Sequence, residues 1–209
     1  MRPISHRDLR EVPKKKEKES KRKVLIVCLC FCCCTSKHSS HITQNVQAIL
    51  AEETFEKLKE RGQAFAAVGD LTRAEQYFAA ALEKTDDYQQ ILPLLLRVCI
   101  EGKRYRVALD YAEPMLQRNP MNHSLRFVIG SLYNLTGDYK TAQFHFEKVV
   151  LADPNNPNPH YVLAVLFRDN LKKPLAADMH FREYLRLDPN GLHSEEARAS
   201  LLKEIKEAQ

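Results

Sequence analysis

An all-α solenoid of stacked helical hairpins is the fold class this sequence predicts, and three observations carry it. The first is composition: apolar residues make up 44% of the 209, charged residues 28%, and Ala, Leu, Glu, Lys and Arg dominate over six glycines and no tryptophan. That mix favours helix over strand. The second is a 34-residue recurrence of small and apolar side chains from Phe55 onward. The third is a helix breaker at the end of each copy, Asp86, Pro120, Pro154 and Pro189.

The recurrence is in register at several depths. Gly62, Leu96, Gly130 and Ala164 share one position, and Phe65, Cys99, Tyr133 and Phe167 another. Ala74, Ala108, Ala142 and, one residue late, Ala177 form a third set; Phe78, Ala112, Phe146 and Phe181 follow four residues on. Next come Leu82, Leu116, Val150 and Leu185. Ala74, Phe78, Ala81 and Leu82 fall on one face of a helix, as do Leu125, Val128, Ile129, Leu132 and Tyr133. Between such stripes Gly69-Asp70 and Gly137-Asp138 supply the reversal. Proline ends the second helix of a pair because it lacks a donor and biases its predecessor away from helix. Each copy is thus a helical hairpin too small to bury its own apolar face, and it must stack on a neighbour.

These residues resemble the tetratricopeptide repeat, a helix–turn–helix unit of 34 residues. The resemblance spans Phe55 to Asn190 in four copies, 55–88, 89–122, 123–156 and 157–190. His123–Asn156 is the clearest, through Gly130, Tyr133, Gly137, Asp138, Tyr139, Ala142, Phe146 and Pro154. The second copy departs at Leu96 and Lys103; the fourth replaces its turn glycine by Asn170–Pro174 and gains a residue there. Residues 42–190 are therefore expected to form four hairpins, with 43–53 extending the first helix, and 191–209 to form a capping helix over Ser194–Ala208 with Ser194 as its N-cap. Pro93 falls in a first turn, and Pro114 inside a helix that it is expected to kink.

The resemblance implies a protein-binding groove lined by the first helix of each hairpin. Off the packing stripe, Lys59, Gln63, Arg97, Phe127, Ser131, Asn134, Tyr161 and Arg168 are the candidate partner contacts. Phe127 and Tyr161 are candidate anchors, unless they pack on a neighbouring helix, and Arg97, Asn134 and Arg168 offer polar contacts. Some members clamp the carboxylate end of heat-shock chaperones. Lys59 matches that clamp's first element, but Gln63, Leu94, Ser124 and Val128 stand where its other polar and basic groups belong. Chaperone-tail binding is not expected.

Residues 1–41 form a different zone. Residues 1–23 hold ten Lys/Arg against four Asp/Glu, whereas the rest of the chain is nearly neutral, which argues against a nucleic-acid surface on the repeats. Val24–Cys34, VLIVCLCFCCC, is apolar and holds five of six cysteines; a polar linker follows. Eleven apolar residues are too few to span a bilayer but suit the core of a bacterial lipoprotein signal, with Cys32, Cys33 or Cys34 lipidated. No small residue precedes any of these cysteines, a departure from such signals. S-acylation beside a polybasic run is a second reading, and soft-metal binding by the thiolates a third, disfavoured by the interleaved Val, Leu and Phe. Cys99 alone in the repeats permits no disulfide there.

No phosphate-binding glycine loop, HExxH or nucleophile motif occurs. The expectation is a non-enzymatic scaffold with no cofactor, metal or small-molecule substrate. It binds a protein or peptide segment and is tethered at the outer membrane facing the periplasm, where it serves envelope, pilus or secretion assembly. A cytosolic adaptor or secretion chaperone, or an obligate subunit of a large complex, are the alternatives.

Overall fold

A computed structural model describes residues 54–203, all within one unit, Gln44–Gln209. The basic and cysteine-rich segment, with Cys32, Cys33 and Cys34, lies outside the described residues, as do 43–53. Thr54 is extended and caps the first helix, which therefore starts at Phe55.

Four antiparallel hairpins follow one another. They are α1 (Phe55–Ala67) with α2 (Leu71–Glu83), α3 (Leu92–Glu101) with α4 (Tyr105–Arg118), α5 (His123–Thr136) with α6 (Tyr139–Ala152), and α7 (Pro157–Val165) with α8 (Pro174–Leu187). A short helix, α9 (Ser194–Ser200), packs on α8. Among the described residues there is no strand.

Local chemistry sets the helix starts. Asp70, Asn122 and Asp138 accept hydrogen bonds from the N–H of Arg73, Leu125 and Thr141 at 3.0, 2.9 and 3.2 Å. These satisfy donors that a first turn otherwise leaves unpaired. Pro93 sits in the first turn of α3 as expected. Pro114 is exposed and α4 runs through it without a break, so the acceptor it leaves unpaired lies on the solvent side.

The turns show how irregular copies keep the shared geometry. Gly69 and Gly137 take positive φ, 79° and 84°. Lys103 and Lys172 stand at the matching places with φ of 55° and 54°, a conformation that side chains disfavour. In the first three hairpins the second helix is tied back by the N–H of Asp70, Arg104 and Asp138 to the carbonyls of Phe65, Cys99 and Tyr133, five residues earlier. In the fourth, Lys173 reaches Phe167, six residues earlier, at 2.8 Å. The inserted residue is absorbed by winding the end of α7 into a π turn, Leu166–Asn170, so the turn itself keeps its shape.

Packing within a hairpin rests on a small residue facing a large one. A Cβ added to Gly62 would stand 2.5 Å from Phe78, and one on Gly130 would stand 2.8 Å from Phe146. At the same register the second hairpin exchanges the roles, with Leu96 and Ala112 both buried, and the fourth uses Ala164 and Phe181. Ala74, Ala108, Ala142 and Ala177 are buried in every copy. Burying each of these phenylalanines contributes about 1.5–3 kcal/mol.

Polar groups join one hairpin to the next. The Arg104 guanidinium lies 2.7 Å from the buried Glu75 carboxylate and donates to the Leu71 carbonyl at 3.0 Å, holding the start of α4 against α2. Burial pushes the Glu75 carboxyl up, against the pull of Arg104. Burial and the Glu75 charge push the Cys99 thiol up to about 12, so it stays protonated. At the third junction the His160 Nε2–H donates to the Pro154 carbonyl at 3.2 Å, and within the fourth hairpin the Nδ1 atoms of His160 and His180 share a hydrogen bond at 3.1 Å. His145 stacks on Tyr133 at 5.6 Å and His180 on Phe167 at the same distance.

The terminal helix corrects two expectations. Ser194 is not the N-cap but the buried first residue of α9, and His193 precedes it without a side-chain cap bond. The Tyr184 hydroxyl instead accepts the His193 N–H at 3.0 Å, doing from α8 what a capping side chain does locally. The helix also stops at Ser200 rather than Ala208. Leu201 is extended, and the Leu202 N–H donates to Asp178 of α8 at 2.8 Å, which draws the chain out of its helical path.

Gly130→Ala should cost about 1–3 kcal/mol in urea unfolding, because its Cβ overpacks against Phe146, while Lys103→Gly should be neutral or stabilise by up to about 1 kcal/mol. Burial, then His160, lowers the His180 pKa from 6.5 to about 4. Between those values the unfolded chain binds the extra proton, so the urea midpoint should fall as pH drops from 6.5 towards 4. His180→Gln should flatten that limb; an unchanged slope refutes the assignment.

Candidate functional site

The first helices of the second and third hairpins form a cavity of about 670 Å³. On α3, Leu92, Pro93, Leu96, Arg97, Ile100 and Glu101 recur at intervals of four, which puts them on one helix face. On α5, Ser124, Leu125 and Val128 face them, and Tyr88, Gln89, Asn119 and Asn122 close the loop side. The floor is apolar. The rim is polar: the Arg97 side chain is largely exposed, with its Nε 3.7 Å from Glu101. A short Tyr88–Gln90 turn and the Asn119–Asn122 connection flank the entrance, and neither α6 nor α8 contributes to it. Such a concave surface, apolar with a few convergent polar groups, suits one apolar side chain of a partner and the backbone beside it.

Of the residues singled out in the sequence, Arg97 lines this cavity. Lys59 and Gln63 are on α1, where the Lys59 ammonium stands 5.8 Å over the Phe55 ring and Gln63 is exposed. Phe127 is half-buried and packs 5.3 Å from Phe146; Ser131 donates back to the Phe127 carbonyl at 3.0 Å. Asn134 is half-buried near the end of α5.

Tyr161 and Arg168 are held by α9. The Tyr161 ring stacks on His193 at 3.8 Å, and its hydroxyl donates to Glu196 at 2.6 Å. Burial, then Glu196, pushes the phenol up to about 12. Arg168 pairs with Asp169 at 2.7 Å and Glu196 at 2.9 Å, and donates to Ser200 at 2.6 Å. The Glu196 carboxyl is held below its usual range, chiefly by the Tyr161 hydroxyl and then by Arg168. The fourth hairpin's groove face is therefore engaged by the chain's own C-terminal helix.

Sequence reasoning missed Tyr88, Leu92, Leu96, Asn119 and Asn122. Leu96 reads as a packing residue, Leu92 falls outside the recurring sets, and the loop residues enter the wall only through tertiary folding. Among the described residues no group of three or more His, Cys, Asp or Glu is placed to hold a metal, and no helix is long and apolar enough to cross a membrane.

Stacked hairpins with a groove built from their first helices define a helical-repeat solenoid. Residues 123–156 match the profile of the family described as Tetratricopeptide repeat. Three solved structures share the architecture. A tetratricopeptide repeat protein from Parabacteroides merdae ATCC 43184 has a TM-score of 0.62 at 21% identity, over 70% of this chain and 58% of its own length. YrrB, described as a TPR protein with an unusual peptide-binding site, gives 0.60 at 16% identity over 75% and 85%. MamA from Desulfovibrio magneticus RS-1 gives 0.57 at 22% identity over 68% and 80%. No curated protein sequence matches. The chain has the fold of a tetratricopeptide-repeat solenoid, and one of its four repeats matches the family's profile. That fold supports a protein–protein interaction scaffold, and its members are generally not enzymes.

Glu196→Ala removes one acceptor shared by Tyr161 and Arg168. It should speed amide exchange across 194–200 and lower stability by about 1–2 kcal/mol. Unaltered exchange there would show that these bonds do not hold α9.

Proposed function

We propose that this chain is an adaptor whose α3–α5 groove receives a segment of a partner protein, while its N-terminal segment tethers it to a membrane. The cavity carries the first half of the reading: apolar side chains of Leu92, Leu96, Leu125 and Val128 lie under a rim that offers Arg97, Asn119, Asn122 and Ser124. A buried apolar anchor supplies affinity, and rim groups fix the orientation of the backbone. That a structural neighbour, YrrB, has a peptide-binding site agrees with such a use of the fold.

The second half rests on the sequence of residues 1–34. A basic run and an apolar cysteine-rich run suit a lipidated anchor at Cys32, Cys33 or Cys34. In this reading the adaptor faces the periplasm from the outer membrane and serves an envelope, pilus or secretion assembly. Tethering raises the local concentration of the groove at that surface.

Ile100 is exposed at the groove, so Ile100→Glu should leave the fold intact. Peptides selected on the full chain from a displayed random library should lose about tenfold or more in affinity for this variant. Selection indifferent to the substitution would refute the groove. Replacing Cys32, Cys33 and Cys34 by Ser should move the protein from the membrane to the soluble fraction; identical partitioning of both forms would refute the tether.

A further inference from the structure

A face of the solenoid away from the groove departs from the repeat in one consistent way. Four positions share one register on the second helices of the last three hairpins, α4, α6 and α8. On α4 they are Arg106, Asp110, Pro114 and Gln117, all exposed, with no large apolar side chain. On α6 the same register reads Lys140, Phe144, Lys148 and Leu151. On α8 it reads Leu175, Met179, Glu183 and Arg186, the last two paired at 2.6 Å. Phe144, Leu151, Leu175 and Met179 are between 52% and 78% exposed, so α6 and α8 present four large apolar groups where α4 presents none. Scattered apolar residues are ordinary on a surface; the same register turned apolar on two successive second helices is a patch. The helices that carry the two stripes both pack on α7, and Glu147 of α6 is close enough to bear on the titration of His180 of α8.

Four exposed lysines border the patch. Lys140 and Lys148 lie on the α6 stripe, and Lys172 and Lys173 lead into α8 beside Leu175, the Lys173 ammonium 5.6 Å over the Phe167 ring; none of the four forms a salt bridge among the described residues, while Asp138 and Asp169 feel the charges of Lys140 and Lys172. The Lys148 ammonium stands 5.6 Å over the Phe144 ring, its stem laid along the apolar group it borders. Of the acids nearby, Asp178 pairs with Arg182 at 2.7 Å and Glu183 with Arg186, while Glu147 keeps its charge and accepts from the neutral Gln143 amide at 2.6 Å. Exposed Phe, Leu and Met side chains framed by exposed lysines outside any salt bridge match the headgroup boundary of an anionic bilayer. There apolar tips enter the acyl region, and lysines stay with lipid phosphates. None of the residues lining the α3–α5 groove belongs to α6 or α8, so the groove stays open when this face is engaged.

We propose that the outer face of α6 and α8, built from Phe144, Leu151, Leu175 and Met179 with Lys140, Lys148, Lys172 and Lys173, docks on an anionic lipid surface. The interaction is peripheral, and it is independent of the N-terminal segment and of the groove. The absence of tryptophan from the chain allows a local readout in the full-length protein. Phe144→Trp places an indole in the patch, and Asp110→Trp places one at the same register of α4. With vesicles of phosphatidylcholine and phosphatidylglycerol, the indole at position 144 should shift its emission to the blue and be quenched by brominated acyl chains several-fold more than the indole at 110. The effect should be lost in pure phosphatidylcholine and in the K140E/K148E background. Should Phe144→Trp fail to fold, Met179→Trp serves in its place. Equal quenching at both positions, or none at either, overturns the proposal; so does quenching indifferent to lipid charge. A blue shift that grows with protein concentration without vesicles also overturns it, and would assign the face to a second copy of the chain. An N-terminal anchor acting alone brings the protein to the vesicle without distinguishing positions 144 and 110, so failure of the tether and failure of this face are read separately.

Discussion

The constraint on which the rest depends is the close approach of the two helices within each hairpin. Helices meet only where a small residue on one leaves room for a bulky residue on the other, and every copy provides one such pair. Gly62 receives Phe78 and Gly130 receives Phe146, with too little space for even one added carbon. Because interiors are packed to near-crystal density, the volume must be conserved across the pair, not at each position. The second hairpin satisfies that by putting Leu96 on the first helix and Ala112 on the second. What looks like a weak copy is a volume exchange.

Hairpins so formed cannot stand alone, and the junctions between them are where charge enters the interior. Glu75 is buried and would be costly if unpaired; Arg104 compensates it and takes two further acceptors on α2. His160 ties the fourth hairpin to the connection before it through the Pro154 carbonyl, and within that hairpin it bonds His180. At the C-terminal end α9 supplies Ala197 and Ser194 as small buried residues against α8. Its Glu196 gathers Tyr161 and Arg168. The last hairpin is thereby closed, while the second and third keep an open groove between their first helices.

The fold class and its four hairpins were legible in the sequence, since helical periodicity and a fixed repeat length are both one-dimensional signals. The site was only partly so. Arg97 was found because it stands off the packing stripe, and it does line the groove. Leu96 was not, because a side chain that packs on its hairpin and also floors a cavity looks the same in sequence as one that only packs. Tyr161 and Arg168 read as free contacts, yet α9 engages both, 28 to 35 residues further along the chain.

By itself, then, the sequence determined which segments become helices, which faces turn inward and how often the unit recurs, because these follow from propensity and spacing along the chain. Only the tertiary structure decided which groove stays open, how the fourth copy absorbs its extra residue in a π turn, and where α9 ends. Those outcomes depend on contacts between residues far apart in the chain, such as Asp178 drawing the Leu202 N–H out of its helix. No local pattern encodes a competitor that arrives from another element.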